Sequence, residues 1–272
     1  MVVRYRAYLS FLLIGLFLII TSSSCNMSKK INVSCEKETG VCSSIADTHL
    51  GIDLEATSPK ESSMKLVYYY DPLCGWCYGF SSVMSQVNEK YGDQLEIEVV
   101  CGGLFLGNRS GPVNRVAPHI KSGAYKSVEL RTGVVFGKSF LNDIFGEGKM
   151  ILNSLPPTIA LSIVKEKYPN QQLKFAELLL KAVYSDGIDP TDVDALSTYA
   201  VQVGLDKEEF KVMMADVRYK KAAKKEFDTF NNSQYAGMPS VVLVKEGKEN
   251  LISHGYVGFK KLESKLDSLI KP

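Results

Sequence analysis

The sequence is short of the residues that metal centres and polyelectrolyte binding require. Among 272 residues there are six cysteines, three histidines and one tryptophan. Only one Cys-x-x-Cys occurs and no closely spaced His pair, so a four-ligand zinc site has nothing to assemble from. His49, His119 and His254 share no spacing that suits a metal or a general base, and each is expected to be structural or solvated. An excess of charge is also missing. The net charge is +2, and Arg4 and Arg6 are the only charges before residue 25, so the remainder is balanced. That excludes the basic footprint of nucleic-acid binding. No phosphate loop, dinucleotide fingerprint or nucleophile elbow is present. What remains, 45% hydrophobic and 23% charged, suits a globular protein of one or two domains with an ample core.

The front end reads as an address. Arg4 and Arg6 precede an apolar run from Leu9 to Ile20, then small residues Thr21 to Ser24, then Cys25. A basic start, a hydrophobic centre and a small-residue cleavage region make an export signal over 1–24. The run, about a dozen residues, is short of the roughly 20 that span a bilayer. Small residues directly before Cys25 resemble a bacterial lipoprotein signal, which implies lipid attachment at Cys25 and a membrane anchor; ordinary cleavage with release is the alternative. Either route places the protein outside the cytoplasm, in the periplasm, where disulfides persist. Residues 25–63 are polar and read as a tether. Cys35 and Cys42 lie in it without a helix start or flanking strand, as a structural pair or as an auxiliary redox pair.

The chemistry centres on residues 68–80. A hydrophobic run from Met64 to Tyr70 is stopped by Asp71-Pro72, because proline has no N–H for a sheet ladder. Phe80, Val83, Met84 and Val87 then recur at helical spacing as far as Tyr91, which puts Cys74 at a helix start with Cys77 one turn on. Free N–H groups and the positive end of the helix favour a thiolate on Cys74, the attacking species in disulfide exchange, and Cys77 is placed to resolve. Asp71 is either a group that influences proton transfer at the thiols or an exposed turn carboxylate.

Tyr68 to Phe80, and Asp71-Pro-Leu-Cys-Gly-Trp-Cys-Tyr-Gly in particular, resemble the active-site segment of DsbA-like thiol–disulfide oxidoreductases of the FrnE-like branch. The resemblance runs from about Lys65 to Leu269 and implies an α/β, thioredoxin-like fold interrupted by an all-helical insertion. It implies no organic cofactor, cysteine-containing client proteins, and a separate redox partner that resets the Cys74–Cys77 pair; no metal is expected from the cysteine and histidine spacing. Gly75 and Trp76 between the thiols would tune the potential.

The rest of the chain follows that plan, with 64–107 and 232–272 as the two parts of the thioredoxin-like domain and 108–231 as the insertion. Gln94 to Val100 reads as a second strand, parallel to the first, which brings Cys101 to the edge that carries Cys74. Cys101 is expected to be a buried strand-end cysteine, with a third exchanging thiol as the sharper alternative. Gly102-Gly103 resembles a glycine turn of the same branch. Pro156-Pro157, Leu173 to Tyr184, Asp192 to Val203 and Asp206 onward mark four helices, and Lys220 to Lys225 a solvated basic face. After Met238-Pro239, Val241 to Val244 and Leu251 to Val257 form a hairpin, and Phe259 to Leu269 a closing helix. Met238-Pro239 stands where thioredoxin-fold proteins carry a cis-proline facing the cysteines, so a cis bond is expected, with the backbone of residue 238 turned towards an extended substrate.

The expected function is disulfide exchange on exported proteins, as oxidase, isomerase or reductase. A glutathione-dependent transferase or isomerase of the kappa type, whose active site carries a hydroxyl residue, is the second reading. A non-catalytic lipid-tethered chaperone or binding module is the third.

Overall fold

The computed structural model describes residues 33–35, 42–44 and 64–270. The export signal, Cys25 and most of the tether lie outside them. Within the tether, β1 (Val33–Cys35) pairs antiparallel with β2 (Cys42–Ser44), with Cys35 opposite Cys42. The sequence reading expected no strand beside either cysteine, and this corrects it. A strand of three residues carries too little periodicity to be visible in a polar stretch.

Residues 64–270 form one compact unit. Its sheet holds β3 (Met64–Tyr70), β4 (Leu95–Cys101), β7 (Ser240–Lys245) and β8 (Lys248–His254) in the order β4-β3-β7-β8. β3 runs parallel to β4, while β7 is antiparallel to both β3 and β8. Alternation along β3 splits its side chains between two faces. Leu66, Tyr68 and Tyr70 enter the main core, whereas Val67 and Tyr69 join Val100, Phe230 and Val242 on the other side. The hairpin turn uses left-handed Glu246 and Gly247, the combination that matches strand twist in a two-residue loop. β8 starts earlier and ends earlier than the expected Leu251 to Val257. The exposed edge residues Lys248 and Glu249 pair with β7, while Tyr256 and Val257 leave the ladder to pack against the core.

Helix α1 (Gly75–Tyr91) buries Phe80, Val83, Met84, Val87 and Tyr91, one stripe at helical spacing. Each such side chain contributes about 1.5–3 kcal/mol on full burial. α10 (Phe259–Ile270) lies beside it, held by Leu262 and Leu266 and by an ion pair from Lys90 to Glu263 at 2.9 Å. Between the halves of the sheet come α2 (Val113–Val116), α3 (Tyr125–Thr132), α4 (Lys138–Phe145), α5 (Leu155–Lys167), α6 (Gln172–Tyr184), α7 (Val193–Ala200), α8 (Lys207–Met214) and α9 (Val217–Asn232). Asp192, Asp206 and Asp216 cap the last three through their carboxylates, and left-handed Gly204 ends the turn that follows α7. Lys220, Lys221, Lys224 and Lys225 are exposed on α9. The stretch 108–231 is not wholly helical, however. β5 (Gly111–Pro112) and β6 (Ile151–Leu152) form a two-residue ladder, and α9 ends one residue beyond the expected boundary. Gly79 of α1 allows α3 to approach, since a Cβ there would lie 2.6 Å from the Thr132 methyl. That contact sets α3 beside the start of α1.

Candidate active site

The end of β3, the start of α1 and the start of β7 converge at one edge of the sheet. Cys74 is the N-cap residue of α1 in an extended conformation, and its N–H donates to the Asp71 carbonyl at 3.0 Å. Cys77 lies one turn in. Both thiols are free, but their accessibility differs: Cys74 retains 6% of its surface and Cys77 none. Burial pushes the Cys77 thiol well above its ordinary range, and the adjoining Cys74 adds to the effect. The pair is therefore asymmetric: Cys74 keeps a little surface where it borders a cavity, and Cys77 is fully enclosed behind it with its thiol held protonated.

Met238 forms the opposite wall. The Met238–Pro239 bond is cis, and the Cys74 Sγ points at the Met238 carbonyl from 3.9 Å. Gly102, at the end of β4, makes room for Met238, because a Cβ there would lie 2.4 Å from its sulfur. Gly255 N–H donates to the Pro239 carbonyl at 2.7 Å and the His254 ring meets Ser240 Oγ at 3.1 Å, so the end of β8 fastens the Met238 loop.

Asp71 is fully buried, which removes the exposed-turn alternative of the sequence reading. Its Oδ1 accepts from the Leu73 N–H and the Ser154 hydroxyl, both at 2.9 Å, and its Oδ2 accepts from the Leu104 N–H at 2.8 Å. One carboxylate thus ties the cysteine loop to the glycine turn after β4 and to the start of α5. Burial raises the Asp71 pKa, against the lowering effect of these donors. Cys101 is also fully buried at the end of β4, where its N–H donates to Glu226 at 3.0 Å, and burial pushes its thiol up as well. The sheet edge does bring Cys101 level with Tyr70, but its sulfur is closed to solvent.

Beside Cys74 a cavity of about 550 Å³ opens between the cysteine loop, the turn after β4, and α2 and α3. Gly75, Trp76, Phe105, Val128, Phe136 and Tyr184 give it apolar and aromatic walls. Trp76 keeps 37% of its surface exposed. Arg109 and Arg115, which sequence reading did not single out, also line it, as does His119, expected to be structural or solvated and found exposed at the cavity. The available signal was the Gly/Asn/Ser/Pro-rich stretch 107–112, a loop composition of the kind that carries binding groups. Ser154 had no local signal at all. Among the described residues no cluster of side chains could hold a metal, and no helix is long and apolar enough to cross a membrane.

Comparison with known proteins agrees with this geometry. The ClpXP adapter protein SpxH of Halalkalibacterium halodurans is 24% identical over 199 residues, 70% of this chain, and the match spans 59% of that relative's length. A candidate protein disulfide isomerase of Nitrosomonas europaea superposes with a TM-score of 0.67 at 22% identity, over 77% of this chain and 98% of its own. The cytosolic disulfide reductase DsbM of Pseudomonas aeruginosa gives 0.62 at 23%, over 76% and 98%. These likenesses show the fold. Residues 65–267 match the DSBA-like thioredoxin domain, and the chain accordingly belongs to that family.

Proposed function

We propose that this disulfide oxidoreductase works through Cys74 as nucleophile and Cys77 as resolving thiol, on cysteines of exported proteins. The observation that carries the reading is the asymmetry of the pair: Cys74 at the helix start keeps some surface and lines the cavity, and Cys77 behind it keeps none. In the oxidised form a client thiolate attacks Cys74 Sγ, which breaks the Cys74–Cys77 bond and leaves Cys77 as the leaving thiolate. A second client thiolate then attacks the client sulfur of the mixed disulfide and expels Cys74. Two electrons have passed from client to protein, and the client has gained a disulfide. Run backwards, Cys74 attacks a client disulfide and Cys77 releases the product. Met238 would hold the client backbone opposite Cys74, Pro239 would fix that segment, and Gly75 and Trp76 would tune the potential. A separate thiol–disulfide partner resets the pair. Export follows from the signal read over 1–24, and anchoring from a lipid on Cys25.

The test uses the full-length chain. Trp76 is the only tryptophan, so its fluorescence reports the state of the flanking thiols without a label. Titration in glutathione buffers is expected to give one two-electron transition that disappears in Cys74→Ala. A potential above about −200 mV makes the protein a disulfide donor, and one at or below about −250 mV a reductase. No transition, with client thiols unchanged by the protein, overturns the reading.

A further inference from the structure

Arg109 and Arg115, both exposed, line the cavity beside Cys74. Arg109 Nη2 donates to the Gly103 carbonyl at 3.2 Å, and an Arg115 Nη2 donates to the Ser110 carbonyl. Among the described residues neither arginine has a carboxylate partner, and no Asp or Glu lines the cavity. A guanidinium carries five donors, so each arginine is anchored by one bond and keeps the remainder of its fork for something else. The anchoring is built in. Gly111, with φ of 145°, lies directly under the Arg115 guanidinium, where any Cβ would collide with it. Arg109 is fixed to the same glycine turn that Asp71 holds through Leu104.

The walls define the remainder of the ligand. A volume of about 550 Å³ falls within the range of pockets that enclose a compact ligand or a few side chains. The apolar surface continues past the cavity mouth. Trp76 and Phe145 are exposed by 37% and 48%, and Phe145 stands edge-on to the cavity residue Tyr125 with ring centroids 5.9 Å apart. That is more apolar area than a small thiol would cover, and it favours a length of polypeptide.

We propose that Arg109 and Arg115 form a carboxylate-recognition subsite, which selects client segments carrying an Asp or Glu next to apolar residues close to the reacting cysteine. The inference rests on the proposed exchange at Cys74 and names its substrate class. Charge complementarity supplies the choice. Two guanidinium groups that find no carboxylate among the described residues, beside an apolar cavity, reward an anion with bidentate hydrogen bonds and repel a lysine.

The experiment compares disulfide-linked peptide probes that differ only in the residues beside the cysteine: Glu-Leu, Gln-Leu or Lys-Leu. Oxidised glutathione and neutral hydroxyethyl disulfide serve as small-molecule arms. Each is mixed with the reduced full-length protein, and the second-order rate of Trp76 change is recorded. The Glu probe is expected to react about tenfold faster than the Gln probe, the worth of one well-made charged contact, and the Lys probe slower than both. The Glu/Gln ratio should shrink as salt rises. In Arg109→Gln/Arg115→Gln that ratio should fall towards one. The wild-type ratios need no variant, so a double variant that fails to fold still leaves the inference exposed. Equal rates for Glu, Gln and Lys probes, with hydroxyethyl disulfide turned over normally, overturn the subsite and leave the exchange reading standing. A preference for oxidised glutathione without any preference for the Glu peptide also overturns it, since the subsite would then serve a free acidic thiol. No reaction with any disulfide defeats the exchange reading itself.

Discussion

Replacing Cys74 by alanine is expected to reduce disulfide exchange by a thousandfold or more, on the order of the losses seen when a covalent nucleophile is removed. The same change at Cys77 should have a different outcome. Cys74 is the thiol with residual surface and Cys77 is fully enclosed, so a client disulfide meets Cys74 first and, once Cys74 is replaced, meets no open thiol. In Cys77→Ala the first attack proceeds and the second cannot, and a one-to-one mixed disulfide between Cys74 and the client accumulates. Non-reducing gels and intact-mass measurement read both outcomes: no adduct for Cys74→Ala, a persistent and reductant-sensitive adduct for Cys77→Ala. Adducts of equal yield in the two variants would contradict the asymmetry, as would an adduct on Cys101. A purely client-binding role predicts instead that Cys74→Ala retains client capture and that the wild type never alters the client's thiols.

Replacing Asp71 by alanine is expected to be the largest stability loss near the site. The change strips the Leu73 N–H, the Leu104 N–H and the Ser154 hydroxyl of their acceptor in a place closed to water. Two or three unsatisfied buried donors cost about 3–5 kcal/mol together, a fall in Tm on the order of 10 °C for a chain of this size. Asp71→Asn should be milder, at about 1–3 kcal/mol. An asparagine can still accept from Leu73 and Ser154, but its NH₂ would face the Leu104 N–H. The pH dependence follows from the raised pKa. A carboxyl that holds its proton more tightly in the folded chain adds stability below its unfolded value. That increment is lost as pH rises through the folded value. Denaturant midpoints for wild type and Asp71→Asn, taken from about pH 3 to about pH 8, should therefore show the wild type's advantage shrinking as pH rises. An advantage that grows over that range would mean the ionised form is the one the fold favours.

What could be read from the sequence was what is encoded locally. The Pro72 stop, the stripe from Phe80 to Val87 and the cysteines at its head are all set within about twenty residues, and β3 and α1 formed accordingly. The caps at Asp192 and Asp206 are likewise local, the side chain bonding backbone two and three positions on. Asp71 could not be placed because its burial depends on partners 33 and 83 positions away. Arg109 and Arg115 were missed for a related reason: a cavity arises from how helices stack, and no periodicity records it. β8 was displaced because an edge strand takes its ladder from β7 and needs no apolar alternation at its exposed end.

The contact between Cys74 and Met238 spans 164 positions. β3 has β4 close by in sequence on one side, yet its other neighbour, β7, belongs to the final part of the chain. As the polypeptide emerges from N- to C-terminus, the reactive dithiol is made early and its facing wall late. Throughout that interval both sulfurs are open to any oxidant or passing disulfide, and the enzyme is itself a client before it can act on one.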